Sequence, residues 1–145
     1  MIYARQVQDA GSGFRFWRDL NANGTAQPGE LGLILAGSST LNDFSVERDA
    51  GGTLFLTPVR SGTGVLQYGT APVADLTSID VAPVGPYSTG GIEALPGWGY
   101  VFETDGGDGF NRYGAVRITH VGQDFLILDW SFQTDFGNPE LIRVR

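Results

Sequence analysis

The sequence predicts an all-β fold: a single antiparallel, sandwich-like domain of short strands with one long Pro- and Gly-rich loop. Three observations predict it. Apolar and polar residues alternate with a period of two through most of the chain. No run of ten or more residues sustains the 3.6-residue period of an amphipathic helix. The 22 glycines and 7 prolines, with Asn and Asp, fall between the alternating runs, where turn chemistry wants them. At 145 residues the chain is one domain's length and can bury a real core. A hydrophobic fraction of 41% with 12% aromatics argues against disorder.

The elements follow in order. Residues 2–7 (IYARQV) open the chain as a strand, and 14–18, 31–36, 44–48, 53–59, 65–68, 76–81 and 99–104 are further strand candidates. Residues 112–121 (RYGAVRITHV) pair with 124–134 (DFLILDWSFQT) across a turn at Gly122 and Gln123. In the first of these, Val116, Ile118 and His120 face one way and Arg117 and Thr119 the other. In the second, Leu126, Leu128, Trp130 and Phe132 share a face, opposite Phe125, Ile127, Asp129 and Ser131. Residues 141–144 close the chain as a last strand. The segment 82–97 (APVGPYSTGGIEALPG) is a surface crossover or binding loop, because each flank alone is short for a domain. No internal repeat is present.

Absent residue types exclude several chemistries. There is no Cys, hence no disulfide, no thiolate metal site and no cysteine nucleophile. All nine basic residues are Arg, so a P-loop and Schiff-base lysine are excluded. A formal charge of −7 argues against a nucleic-acid surface. No apolar run is long enough to span a bilayer as a helix. No G-x-S-x-G turn presents a nucleophilic serine. No secretory leader is legible before residue 2.

One segment carries metal chemistry. Residues 19–30 (DLNANGTAQPGE) match the calcium loop D-x-[DN]-x-[DN]-G-x5-E at each defined position. Ca²⁺ takes six to eight hard oxygens, and alternate side chains at Asp19, Asn21 and Asn23 supply the first of them. Gly24 permits the chain to reverse, the Thr25 carbonyl adds a ligand, and Glu30 closes the site bidentately. The flanks alternate like strands, so this loop joins strands rather than helices. Two carboxylates give modest affinity and a site that stiffens its loop. An Asn- and Gly-rich turn without metal has the same composition.

Residues 16–33 (FWRDLNANGTAQPGELGL) also resemble the calcium-binding B repeats of serine–aspartate surface adhesins of Gram-positive bacteria. That resemblance implies calcium at Asp19, Asn21, Asn23 and Glu30. Residues 98–141 resemble the closing portion of HmuY-type and related secreted bacterial β-domains. The rhythm falls on Tyr100 and Val101, the acidic turn 105–109, the strand from Tyr113 to Ile118, and Trp130 to Asp135. It implies an exported β-domain and a haem-type ligand. Such domains hold iron between two histidines, whereas His120 is the only histidine here.

Other constellations have plain alternatives. Asp105 and Asp108 can donate to a second cation or simply solvate a hairpin turn. The carboxylate pairs Asp124 with Asp129 and Glu103 with Asp105 can serve glycoside hydrolysis or lie on an acidic surface. Among Trp17, Trp98, Trp130, Tyr68, Tyr87, Tyr100 and Tyr113, core packing and sugar stacking compete. Trp130 belongs with the core face, while Trp98 and Tyr87, beside the long loop, are the candidate exposed ligand-binding rings. At the chain start, Ile2, Tyr3, Ala4, Arg5, Gln6 and Val7 can complete their own sheet or add to a neighbour's open edge.

The expectation is thus a non-catalytic, extracellular or cell-surface bacterial module. It is structural or adhesive, self-associating or bound to other surface proteins or glycans, with filaments built by terminal-strand exchange and a calcium-stabilised loop. A module for a carbohydrate or haem-type ligand is the alternative.

Overall fold

A computed structural model describes residues 2–4, 6, 11–17, 31–36, 39, 42–60, 63–69, 72–73, 76, 79, 82–83, 87–105 and 111–133. Among these residues ten strands run in chain order: β1 (Ile2–Tyr3), β2 (Gly13–Trp17), β3 (Leu31–Leu35), β4 (Phe44–Arg48), β5 (Leu54–Pro58), β6 (Gly64–Tyr68), β7 (Ile92–Glu93), β8 (Gly99–Asp105), β9 (Asn111–Val121) and β10 (Phe125–Phe132). They form two five-stranded sheets, β1-β10-β9-β8-β6 and β3-β2-β4-β5-β7, with antiparallel pairing throughout. The chain is all-β and sandwich-like, as its period predicts.

Alternation explains the packing. Phe14 and Phe16 of β2, Phe44 and Val46 of β4, and Leu54 and Leu56 of β5 point inward from one sheet. Tyr100 and Phe102 of β8, Val116 and Ile118 of β9, and Leu126 of β10 meet them from the other. Aromatic rings bridge the gap. Phe44 stacks on Phe102 with centroids 4.7 Å apart, Phe16 stacks on Phe132 at 5.6 Å, and Phe14 meets Trp130 edge-on at 5.7 Å. Each such pair adds roughly 0.5–1.5 kcal/mol beyond the area it buries. Gly114 in β9 makes room for this cluster, since a Cβ there would stand 2.7 Å from the Phe16 ring. Gly32 does the same in β3, with φ of 63° and the Trp130 ring against it.

The long connection is packed on the outer face of the first sheet. Ile79 and Ala82 form a second apolar cluster with Val101 and Ala115, flanked by Leu66, Val73, Leu76, Tyr87 and Tyr113. Arg117 Nε donates to the Val73 carbonyl at 3.0 Å, and Val65 and Ser88 exchange backbone hydrogen bonds of 2.8 Å. The strap is therefore a third layer over β6, β8 and part of β9.

Several expectations change. Within the expected strand 76–81, Leu76 and Ile79 lie in a turn closed by Ile79 N–H to the Leu76 carbonyl at 3.1 Å. Leu76 and Ile79 instead pack in the second apolar cluster. Residues 92–93, expected as loop, form β7 against β5. Among the described residues the opening strand pairs at Ile2 and Tyr3, with Ala4 N–H continuing to the Asp124 carbonyl at 2.8 Å. The expected strand 141–144 lies outside the described residues.

The β9–β10 hairpin forms as expected, with one difference. Its register shifts between Ile127 and Leu128: Ile127 opposes His120, but Leu128 opposes Ile118. Thr119 is the extra residue of a β-bulge. Beyond it the faces swap, so Val121 rather than His120 returns to the core, and both Thr119 and His120 are exposed. His120 therefore does not share the face of Val116 and Ile118; its ring lies 5.8 Å from Phe125.

This register predicts opposite effects at adjacent positions. Val121→Asp should cost roughly 1–3 kcal/mol by burying a charge beside the core. His120→Asp should change stability by about 0.5 kcal/mol or less. Urea unfolding of both variants checks the assignment, and the reverse order would mean the bulge is misplaced.

Candidate functional site

Polar groups concentrate where the two sheets are joined. Asp43, just before β4, is fully buried. The β2–β4 ladder ends at Phe14 opposite Phe44, and the next β2 amide aimed at β4 belongs to Phe16. That N–H donates to Asp43 Oδ2 at 2.7 Å, so a side chain takes over from the missing backbone acceptor. Oδ1 accepts from Arg60 Nη1 and from the Thr104 hydroxyl, each at 2.8 Å. Thr104 spends its one hydrogen there, so the Thr63 hydroxyl donates to it at 2.9 Å. Arg60 Nη1 also reaches Thr104 at 3.2 Å. The carboxylate thus ties β2 and the start of β4 to β8 in the opposite sheet.

Burial pushes the Asp43 carboxyl above its ordinary value of 3.8, against the hydrogen bonds from Phe16, Thr104 and Arg60 and the Arg60 charge, which pull it down. Among the described residues its oxygens face these donors, and none of its surface meets solvent. The cluster offers no open face to a substrate. It is a clasp.

A second clasp sits at β7. The Tyr100 hydroxyl donates to the Glu93 carbonyl at 2.6 Å and accepts from Leu95 N–H at 2.9 Å. Burial pushes its pKa up to about 12, so the hydroxyl stays neutral.

The N-terminal strand has a seat of its own. Ile2 and Ala4 are buried in the main core. Tyr3 faces outward against Phe125, with ring centroids 6.1 Å apart. Gln6 then crosses to the other sheet: its Oε1 accepts from Arg48 N–H at 2.7 Å and its Nε2 donates to Glu47 Oε2 at 3.2 Å. Arg48 Nε lies 3.5 Å from Asp124 Oδ1 across the same junction. That pair is exposed enough to contribute little. Arg5 and Val7 lie outside the described residues.

The calcium-type residues Asp19, Asn21, Asn23, Thr25 and Glu30 all lie outside the described residues, as does Asp108. Among the described residues no group of three or more acidic or histidine side chains is placed to hold a metal. Tyr87 and Trp98 are not brought together as an exposed platform. Trp98 is half-buried against the main core. Tyr87 is half-buried in the strap, its hydroxyl donating to the Pro83 carbonyl at 2.7 Å and its ring 6.1 Å from Tyr113. Burial, then Tyr113 and Glu103, raises the Tyr87 value. Trp17 is buried, with the Arg112 guanidinium 4.5 Å from its ring centroid.

Sequence reasoning missed Asp43, Arg60 and Thr104, and named Gln6 only as part of the opening strand. An Asp before an apolar strand has the signature of a turn residue. No family model matches the chain, no curated protein is similar to it, and no solved structure matches it. The described residues contain no helix long and apolar enough to cross a membrane.

Two outcomes are expected of the clasps. The folded state binds the Asp43 proton more tightly than the unfolded chain, so this contribution is full below the unfolded value and lost as pH rises through the folded one. Unfolding free energy should carry a component that falls with rising pH above 3.8, and Asp43→Asn should remove it. Asp43→Ala should cost about 3–5 kcal/mol at neutral pH. Denaturant titrations across pH measure both, and an unchanged pH slope in the Asn variant would assign the titration elsewhere. Tyr100→Phe strands Leu95 N–H and should cost about 1–3 kcal/mol, read as a lower denaturation midpoint at unchanged slope.

Proposed function

We propose that the chain is a non-catalytic structural or adhesive β-sandwich module of the cell surface or exterior, assembling by exchange of its N-terminal strand. One observation carries this reading. Among the described residues β1 pairs at two positions, yet Ile2 is 1% exposed and Ala4 0%. A strand held by few ladder bonds, whose side chains fill a core slot, can be supplied by a neighbouring copy with the same contacts. Head-to-tail exchange does not close on itself and yields a filament. The loop 19–30 is the calcium element of this reading: Asp19, Asn21, Asn23, the Thr25 carbonyl and Glu30 would hold the ion, which stabilises the fold by mass action. The ligand-binding alternative is weaker, because Tyr87 and Trp98 are committed to packing.

Negative-stain electron microscopy of concentrated protein, with and without EDTA, tests the reading. Filaments should form, and deleting residues 2–7 should abolish them; dispersed particles at every concentration would remove strand exchange. Asp19→Ala should lower the melting temperature only when Ca²⁺ is present. An equal loss in chelator would make the loop a plain turn.

A further inference from the structure

The end of β4 borrows a partner from the other sheet. Val46 N–H turns toward β2 and donates to the Ser12 carbonyl at 2.9 Å. Backbone alternation turns Arg48 N–H the same way two residues on. It meets Gln6 Oε1 at 2.7 Å, a side chain standing where a β2 carbonyl would continue the ladder. Gln6 Nε2 then donates to Glu47 Oε2 at 3.2 Å, so one amide grips two successive residues of β4.

The same stretch of chain is tied to the first sheet by little. Ile2 and Tyr3 pair with Leu126 and Phe125, and Ala4 N–H donates to the Asp124 carbonyl. Asp124 Oδ1 lies 3.5 Å from Arg48 Nε, and that Nε has no hydrogen-bond partner among the described residues. The pair adds a weak charge attraction and no directed bond. Among the described residues, Gln6 is thus the directed contact between the chain's start and the second sheet. Val46 is held differently: it is fully buried in a strand flanked by both β2 and β5. An edge element with a two-residue ladder and one side-chain clamp opens at a lower free energy than such a central strand.

We infer that Gln6 is the latch of the opening strand. β1, Ala4 and Gln6 leave the sandwich together in one local opening, while Ser12 stays on Val46. The bond from Arg48 N–H to Gln6 sets how often that opening occurs. A strand seated at home blocks the slot of Ile2 and Ala4, so the latch also governs when a neighbour's strand can enter. This last consequence rests on the proposed strand exchange, and the local opening does not.

Amide hydrogen exchange of the full chain in dilute solution tests this, beside Gln6→Ala and Gln6→Met, the second of which keeps the side chain's length without its amide. In the wild type, the Ala4 and Arg48 amides should share one opening constant, larger than that of Val46. Either variant should raise the Ala4 opening constant by about fivefold, the factor one ordinary hydrogen bond contributes, and leave Val46 unchanged. A contact that only adds to global stability would move Val46 as well. Ala4 exchanging no faster than Val46 in the wild type, or unaffected by both variants, would overturn the latch. Electron microscopy of the same variants separates the two proposals. An Ala4 amide that responds in a chain forming no filaments keeps the latch and removes strand exchange. Filaments formed by a chain whose Ala4 amide ignores Gln6 do the reverse.

Discussion

The Asp43 carboxylate sets where the two sheets can sit relative to each other. Backbone ladders bind strands within a sheet, but apolar contact between sheets is non-directional and tolerates sliding. Asp43 removes that freedom at one end. Its two oxygens accept from a β2 amide on one side and from Thr104 on the other, at distances that leave little room for shear. Phe44 follows it directly and stacks on Phe102, two residues before Thr104. The aromatic core is thus registered by a polar contact at its border. Replacing such a group by an apolar one of similar volume can be neutral in energy, and what the carboxylate adds is a unique alignment.

The second link between the sheets is made by the chain's own beginning. β1 pairs in one sheet, and Gln6, three residues beyond it, caps the end of β4 in the other. The amide satisfies Arg48 N–H, a ladder-end group that otherwise needs water. The sandwich is therefore joined by Asp43 and Tyr100 from within and by Gln6 from the edge. The strap between β6 and β7 works outside this frame, sealing the back of β8 and β9 with Ile79 and Ala82.

Much of the architecture is legible in the sequence because burial on one face imposes a period of two. The strand 44–48 appears with its expected ends, and the β9–β10 pairing with its expected turn. Periodicity fails where something other than a ladder uses it. Leu76 and Ile79, three residues apart, would fall on opposite faces of a strand; in a turn both reach the outer face of the sheet. The bulge at Thr119 has no sequence mark: a Thr in a β-branched run is an ordinary strand residue, and only the partner strand reveals the extra position. Asp43 and Thr104 lie far apart in the chain, and pairing between distant residues is invisible to local pattern. The aromatic rings are ambiguous for another reason. A flat apolar face suits a core and a ligand equally, and Trp98 and Tyr87 go to packing.

The pairing of β1 with β10 orders events in time. Synthesis delivers Ile2 well before its partner Leu126, which lies 124 residues later. At about 5–20 residues per second, the opening strand waits for seconds with no seat, while β2, β3, β4 and β5 can already meet as near neighbours in sequence. Until β10 arrives, the slot that Ile2 and Ala4 fill does not exist. Were strands exchanged as proposed, crowding of nascent chains, as on one message read by several ribosomes, would set how often a strand is placed at home.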